Sequence, residues 1–206
     1  MPLTLLHVDS SPMGESSISR HLSAEFVKNW QAAHPDGTVI TRDLTTTVIP
    51  PVSAAMVGAI YTPPPSRTTE QAALLAQSDE LIAELQAAGE YVFGVPMHNF
   101  NIPSALKLWI DAVVRAGVTF SYATGAPVGL LTGKKAHVMI AGGGRYDKGT
   151  AMESINFAEP YLRHMLGFIG VTDVNFLTAG GTLSIRGDRE TFLQPHIDAI
   201  RGKFAA

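Results

Sequence analysis

Three short stretches of this chain carry residue types suited to holding a small anion or a flat ring. The first is Ser10-Ser11-Pro12-Met13-Gly14-Glu15-Ser16-Ser17-Ile18-Ser19-Arg20, which sets five serines and a glycine where a helical pattern begins. A helix N-terminus carries unpaired N–H donors and a partial positive charge. A phosphate monoester is satisfied there without a lysine, and the hydroxyls of Ser17 and Ser19 add direct hydrogen bonds. The plainer alternative is that Ser16 or Ser17 only caps the helix. Neither G-x-x-x-x-G-K-[ST] nor G-x-G-x-x-G spacing occurs here, nor the former around Gly133-Lys134, so a mononucleotide phosphate is what remains.

The second stretch is Val95-Pro96-Met97-His98-Asn99-Phe100-Asn101-Ile102-Pro103. Asn99 offers an amide donor and acceptor to the edge of a heterocycle, while Met97 and Phe100 offer soft or flat apolar contact. Alternatively this is a turn in which Asn101 caps the next helix and Phe100 is core. The third stretch, Gly142-Gly143-Gly144, lets the backbone approach a ring closely and aim N–H groups at it, or is simply a flexible turn. Arg145 and Tyr146 follow and can project into the same cleft.

Other chemistries are poorly served. There are no cysteines, which excludes disulfides, thiolate nucleophiles and Cys-ligated metals. His7, His21, His34, His98, His137, His164 and His196 show no H-E-x-x-H spacing, and no G-x-S-x-G elbow exists, so no metal site is expected. A net charge of −3, with only Lys134-Lys135 as a basic pair, argues against nucleic acid or an anionic membrane surface as partner. The apolar run Leu3 to Val8 is too short for a signal peptide or a membrane span and stops at Asp9. A cytoplasmic protein is the expectation.

The elements that must position these stretches alternate between short β-type runs and helical patterns, which argues for βαβ units and a parallel sheet. Strands are expected at Leu3 to Val8, around Val39-Ile40, and at Tyr91 to Val95, Ala136 to Ile140 and Val171 to Leu177. The first of these is almost continuously apolar, as strands buried on both faces are. Ile18, Leu22, Phe26 and Trp30 recur every four residues and predict a helix. Further helices are expected at Thr68 to Ala88, with Ala73, Leu74, Leu81, Ile82 and Leu85 on one side, and at Ile102 to Ala116 with Pro103 in its first turn. Ser154 to Phe168 and Arg189 to Phe204 complete the set, while the Pro- and Thr-rich residues 45 to 66 read as an excursion. The expected fold is α/β, a flavodoxin-like doubly wound five-stranded parallel sheet of order 2-1-3-4-5 with helices on both faces, spanning 1–206 as a single domain. Ligands in such sheets bind outside the carboxyl ends of the strands, where all three stretches fall.

The whole chain resembles the FMN-dependent NADH-azoreductases, which group with the NAD(P)H-quinone oxidoreductases of flavodoxin-like fold. The matching segments are Ser10-Ser11 with Ser17-Ile18-Ser19, Pro96 to Ile102, Ala116-Gly117-Val118-Thr119-Phe120, Leu131 to Ala136, and Leu166 to Val171. The resemblance implies that Ser11, Ser17, Ile18 and Ser19 hold the FMN phosphate. It implies that Pro96, Met97, His98, Asn99 and Phe100, with Ala141, Gly142, Gly143 and Gly144, hold the isoalloxazine. Two positions depart from the family pattern: His98 stands where tyrosine is common, and Gly142 where some members have arginine. The resemblance further implies homodimers with two sites at the interface. Phe100, Phe120, Tyr122, Tyr146 and Phe168 are then candidate walls of the substrate slot, with simple core aromatics as the alternative for Phe120, Tyr122 and Phe168. Residues 45 to 66, with Met56, Val57, Ile60 and Tyr61, are placed to cover the slot.

The activity so implied is reduction of quinones and azo compounds by NAD(P)H, with two electrons passing through the flavin in a ping-pong cycle. Backbone N–H groups of Asn99 and of residues 142 to 144 would stabilise charge that grows on the ring. His98 and Tyr146 are candidate proton sources, and Arg67, Arg145 and Arg186 are candidates for the extra phosphate of NADPH. The rivals are a flavodoxin-type electron carrier without direct NAD(P)H oxidation, and a flavin-free α/β binding domain.

Overall fold

Leu5, Leu6 and Val8 have no room for water on either side, because the strand that holds them lies inside a sheet. The computed structural model describes residues 3–123, 125–185 and 188–204. In it, Thr4–Asp9 (β1), Thr38–Asp43 (β2), Glu90–Pro96 (β3), Lys135–Gly142 (β6) and Asp173–Gly180 (β7) form one five-stranded sheet. Its order is β2-β1-β3-β6-β7 and every pairing is parallel. Counted along the sheet's own strands this is 2-1-3-4-5, the expected doubly wound order.

Period-two alternation sends side chains to two separate cores. Leu5, Val92 and Met139 face Ile18–Ala33 (α1) and Arg189–Gly202 (α6), where Leu22, Phe26, Trp30, Leu193 and Ile200 complete one cluster. Leu6, Val8, Tyr91, Phe93, Val95, Val138 and Ile140 face the other way, onto Thr69–Ala87 (α3), Ser104–Val113 (α4) and Ala158–Phe168 (α5). The helices' apolar stripes, such as Leu106-Trp109-Ile110-Val113, close that side.

Four expectations need correction. Residues 45 to 66 contain a helix, Ala54–Tyr61 (α2), capped by the Ser53 hydroxyl and docked by buried Met56 and Ala59 against Leu75. In α3 the buried stripe is Leu75, Ser78, Leu81, Ile82 and Leu85, and Ala73 and Leu74 point outward. A capping box of Thr68 and Gln71 fixes where α3 starts, and the spacing of three and four residues back from Leu85 then reaches Leu75. Helix α4 is shorter than expected and Pro103 is its N-cap rather than part of its first turn. Asn101 does not cap it, because its Oδ1 accepts from the neighbouring Ile102 N at 2.8 Å.

A two-stranded antiparallel ribbon, Phe120–Ser121 (β4) with Val128–Gly129 (β5), is an addition beyond the expected elements. Among the described residues, no helix is long and apolar enough to cross a membrane.

Candidate functional site

The strand order puts the carboxyl ends of β1, β3 and β6 side by side, and hydrogen bonds then tie their loops together. Ser10 N and Oγ both donate to Gly94 O, at 3.1 and 2.9 Å, which links the first loop to β3. Met97 N donates to Ala141 O at 2.7 Å, which links the second loop to the third.

In the first loop Ser17 is the N-cap of α1, with its Oγ accepting from Arg20 N at 3.3 Å. Ser17 Oγ and Ser19 Oγ lie 3.1 Å apart, and Ser11 Oγ accepts from Met13 N at 3.4 Å. Ser11, Ser17 and Ser19 are all buried, beneath the exposed residues 12 to 16, so the hydroxyls of Ser17 and Ser19 turn towards each other rather than to water. Ile18 is half-buried and packs on the α1 core. Among the described residues, Ile18 N and Ser19 N have no hydrogen-bond partner. The helix therefore keeps two main-chain donors beside three hydroxyls, a donor set that fits a phosphate.

The second loop is a tight turn of unusual composition. His98 N donates to Asn101 O at 2.8 Å, and Asn101 N returns a bond to His98 O at 3.0 Å. The two central residues, Asn99 and Phe100, have φ of +48° and +68°. Reciprocal bonds around two positive-φ residues are the pattern of a type I′ turn, which normally takes Asn-Gly. Phenylalanine in this region is strained by about 1–2 kcal/mol. Phe157 N holds the turn from below by donating to Phe100 O at 2.9 Å. Pro96 and Met97 are half-buried at its base, while His98, Asn99 and Phe100 are exposed. Among the described residues, Asn99 N and Phe100 N make no hydrogen bond, so both point a free donor outward.

In the third loop Gly142 is buried, and Ala141, Gly143 and Gly144 are half-buried. Gly143 O accepts from Leu183 N and Gly144 O from Gly181 N, at 3.2 and 2.9 Å, so the carbonyls are engaged on the side of β7. A Cβ at Gly142 or Gly144 would come 3.1 or 3.0 Å from the Tyr146 ring, and one at Gly143 would come 2.8 Å from Leu183. A side chain at Gly142 or Gly144 would thus press on the Tyr146 ring, and one at Gly143 would displace the exposed end of Leu183. Tyr146 in turn meets Phe100 edge to face, with ring centroids 6.0 Å apart at 81°. The second and third loops thus share an aromatic wall, steadied by Asn156 Nδ2 donating to Tyr146 O at 3.2 Å.

The other aromatic candidates lie elsewhere in the chain. Phe120 is buried against Phe168, with centroids 4.6 Å apart, and the exposed Tyr122 stands edge-on to Phe120 at 5.4 Å. Helix α5 returns from the carboxyl edge of the sheet, and its 11 residues carry the chain about 16 Å back. Phe168 therefore sits near the start of β7, at the opposite edge from Phe100 and Tyr146. One chain does not bring the two groups together.

Of the arginines, Arg67 Nε already donates to Ala59 O and Thr62 O, at 3.1 and 3.0 Å, at the end of α2. Arg145 is exposed beside the third loop, and Arg186 lies outside the described residues. A polar cluster under the first loop was missed from sequence: Asp9, Arg20, Ser23, His7 and Asp43. The local signals were an aspartate ending an apolar strand and an arginine following Ser-x-Ser. What joins them is long-range pairing.

Residues 4–203 match the flavodoxin-like fold family. The chain belongs to that family. It is similar to a protein of Acidobacterium capsulatum named FMN-dependent NADH:quinone oxidoreductase, at 56% identity over 97% of this chain and 98% of that one. It is similar also to the Burkholderia lata FMN-dependent NADH:quinone oxidoreductase 3, at 46% identity over 98% of this chain and 99% of that one. Among solved structures, the FMN-dependent NADH-azoreductase of Bacillus anthracis str. Ames Ancestor in complex with FMN superposes with a TM-score of 0.87. It is 26% identical, with 98% of each chain covered.

The cluster under the first loop also makes a pH prediction. The Arg20 guanidinium bonds Asp43 through two nitrogens, at 2.9 and 2.7 Å, and holds its carboxyl down at about 2. A depressed carboxyl stabilises the fold above its unfolded value, and that contribution is lost as pH falls through about 2. Asp43 is about one-third exposed, so water screens the pair and the contribution stays at about 1 kcal/mol or less. Asp43→Asn is expected to lower stability to urea at neutral pH and to converge on the parent only below about pH 2. An equal difference at both pH values would remove the ion pair as its cause.

Proposed function

We propose that this chain, as a single domain, is an FMN-dependent NADH:quinone oxidoreductase of the cytoplasm that also reduces azo compounds. The observation that carries this is the joining of a phosphate-type donor set to two ring-edge loops across the ends of β1, β3 and β6. The names of relatives matched over nearly the full length support the same reading.

Ser11, Ser17 and Ser19 would hold the FMN phosphate through their hydroxyls, once those of Ser17 and Ser19 turn from each other to the ligand, and Ile18 through its main-chain N–H. Pro96 to Phe100 and Ala141 to Gly144 would hold the isoalloxazine. When bound, FMN supplies two-electron chemistry between a nicotinamide and a flat acceptor in ping-pong order. The chain binds and orients these partners: the N–H groups of Asn99 and Phe100, with those of Gly142 to Gly144, would favour charge at the ring edge. Phe100 and Tyr146 form one wall for the acceptor. His98 and Tyr146 are the side chains placed to deliver a proton, and unchanged turnover in His98→Phe and Tyr146→Phe would remove that role.

The position of Phe120, Tyr122 and Phe168 at the far edge favours a homodimer in which a second copy supplies them to the slot. Exposed Val57 and Tyr61 on α2 give such a copy apolar surface to cover. NADPH is a weaker expectation, because of the candidate arginines among the described residues Arg67 is already engaged, which leaves Arg145, exposed beside the third loop.

The test is the visible spectrum of purified protein given FMN and freed of excess. About one equivalent of retained flavin, bleached by NADH and restored by a quinone, is expected. Retained flavin that NADH leaves unbleached would favour an electron carrier, and no retained flavin would sink the site.

A further inference from the structure

Beneath the first loop lies a buried polar cluster to which the reaction above gives no task. Ser23 Oγ donates to Asp9 Oδ1 at 2.8 Å, and His7 Nε2 lies 3.2 Å from Asp9 Oδ2 and 3.0 Å from Ser23 Oγ. Arg20 is the member that reaches the loop. Its Nε donates to Ser11 O at 2.8 Å and its main-chain N to Ser17 Oγ at 3.3 Å. The far side of the same guanidinium is bound to Asp43 at the end of β2, with Thr45 Oγ1 at 3.2 Å and Asp9 Oδ2 at 3.5 Å.

One residue thus joins the loop after β1, the start of α1 and the end of β2. A planar guanidinium with fixed donor directions can span them, whereas an ammonium makes point contacts only. Two carboxylates face this single cation, so its charge is matched within the protein and is not offered to an anion in the loop. What Arg20 controls is spacing.

We propose that Arg20 is a positioning residue that sets Ser11 against Ser17 and Ser19, and thereby makes the site prefer a phosphorylated flavin over its dephosphorylated form. This rests on the FMN reading above, and it adds which residue, outside the phosphate contacts, gives the loop its selectivity. The ring-holding loops at His98–Asn101 and Gly142–Gly144 make no direct contact with the Arg20 side chain, so affinity for the ring should depend on it far less than affinity for the phosphate.

The full chain, stripped of flavin, is titrated with FMN and with riboflavin, following quenching of flavin fluorescence. The parent is expected to favour FMN strongly. Arg20→Met and Arg20→Lys should each weaken FMN by about 30-fold and leave riboflavin within about threefold. Equal weakening of both ligands would overturn the proposal, as would recovery of FMN affinity in Arg20→Lys, which would make charge the cause. A parent that does not distinguish the two flavins would instead overturn the phosphate site itself. If Arg20 variants do not fold, Asp43→Asn leaves Arg20 in place and frees its far end. A shift of the FMN-to-riboflavin ratio in the same direction is then required, and an unchanged ratio would overturn the proposal.

Discussion

Asn99→Val is expected to weaken flavin binding by about 30-fold, while Asn99→Gly leaves it within a few-fold of the parent. At φ +48° asparagine is among the few residues tolerated without large cost, and glycine has none. A β-branched side chain at this angle is strained by about 2 kcal/mol or more, enough to open the turn. Opening breaks the reciprocal bonds between His98 and Asn101 and turns the outward N–H groups of Asn99 and Phe100 away from the cleft. A loss of about 2 kcal/mol in binding corresponds to about 30-fold in affinity. Glycine keeps the turn and the donors but lacks the amide side chain. If Asn99→Gly loses as much as Asn99→Val in a flavin titration, the side chain and not the backbone reads the ring. Phe100→Gly carries the complementary expectation. Relief of the strain at φ +68° offsets glycine's greater unfolded-state freedom, so unfolding stability should stay within about 1 kcal/mol of the parent, while turnover with a quinone falls because the wall shared with Tyr146 is gone.

That turn also marks where sequence reading reaches its limit. Strands β1, β3 and β6 are legible because strands buried on both faces must be continuous apolar runs, and the loops at their ends stand out by contrast. The site's location therefore follows from Leu5 to Val8, Tyr91 to Val95 and Ala136 to Ile140 alone. The conformation of Asn99-Phe100 does not, because a phenylalanine with positive φ is imposed by Phe157 and Ala141 from other elements. Helix α2 was hidden because Met56 and Ala59 become a stripe only once Leu75 supplies the surface they cover. The two residues of β4 and of β5 are too short to show any period. Phe120 and Phe168 are conspicuous in sequence, yet which edge of the sheet they occupy depends on the direction in which α5 returns. The Asp9–Arg20–Asp43 cluster joins three elements, and no local pattern encodes such a pairing.

The same cluster makes Gly94 the position where the smallest change should do the most damage to the fold. Gly94 lies in β3 opposite Asp9 of β1, under the start of α1. A Cβ placed there would stand 2.1 Å from Asp9 Oδ1, 2.8 Å from Ser23 Oγ and 3.2 Å from Ser19 O. The carboxylate has nowhere to retreat, because Ser23, His7 and Arg20 hold it from three sides. Gly94→Ala must therefore push a buried charge off its partners. Overpacking alone costs about 1–3 kcal/mol, and stranding a buried charge costs about 3–5. A loss of about 4 kcal/mol is expected by urea unfolding, a large part of the 5–15 kcal/mol that holds a domain together. The cause is separable from any intrinsic preference for glycine in β3. In an Asp9→Ala background the added methyl meets a methyl-sized gap, and Gly94→Ala should then cost at least about 1.5 kcal/mol less than in the parent. Additive losses in that double-mutant cycle would mean that the carboxylate is not what excludes a side chain at Gly94, and that Ser23 and the α1 backbone do so instead.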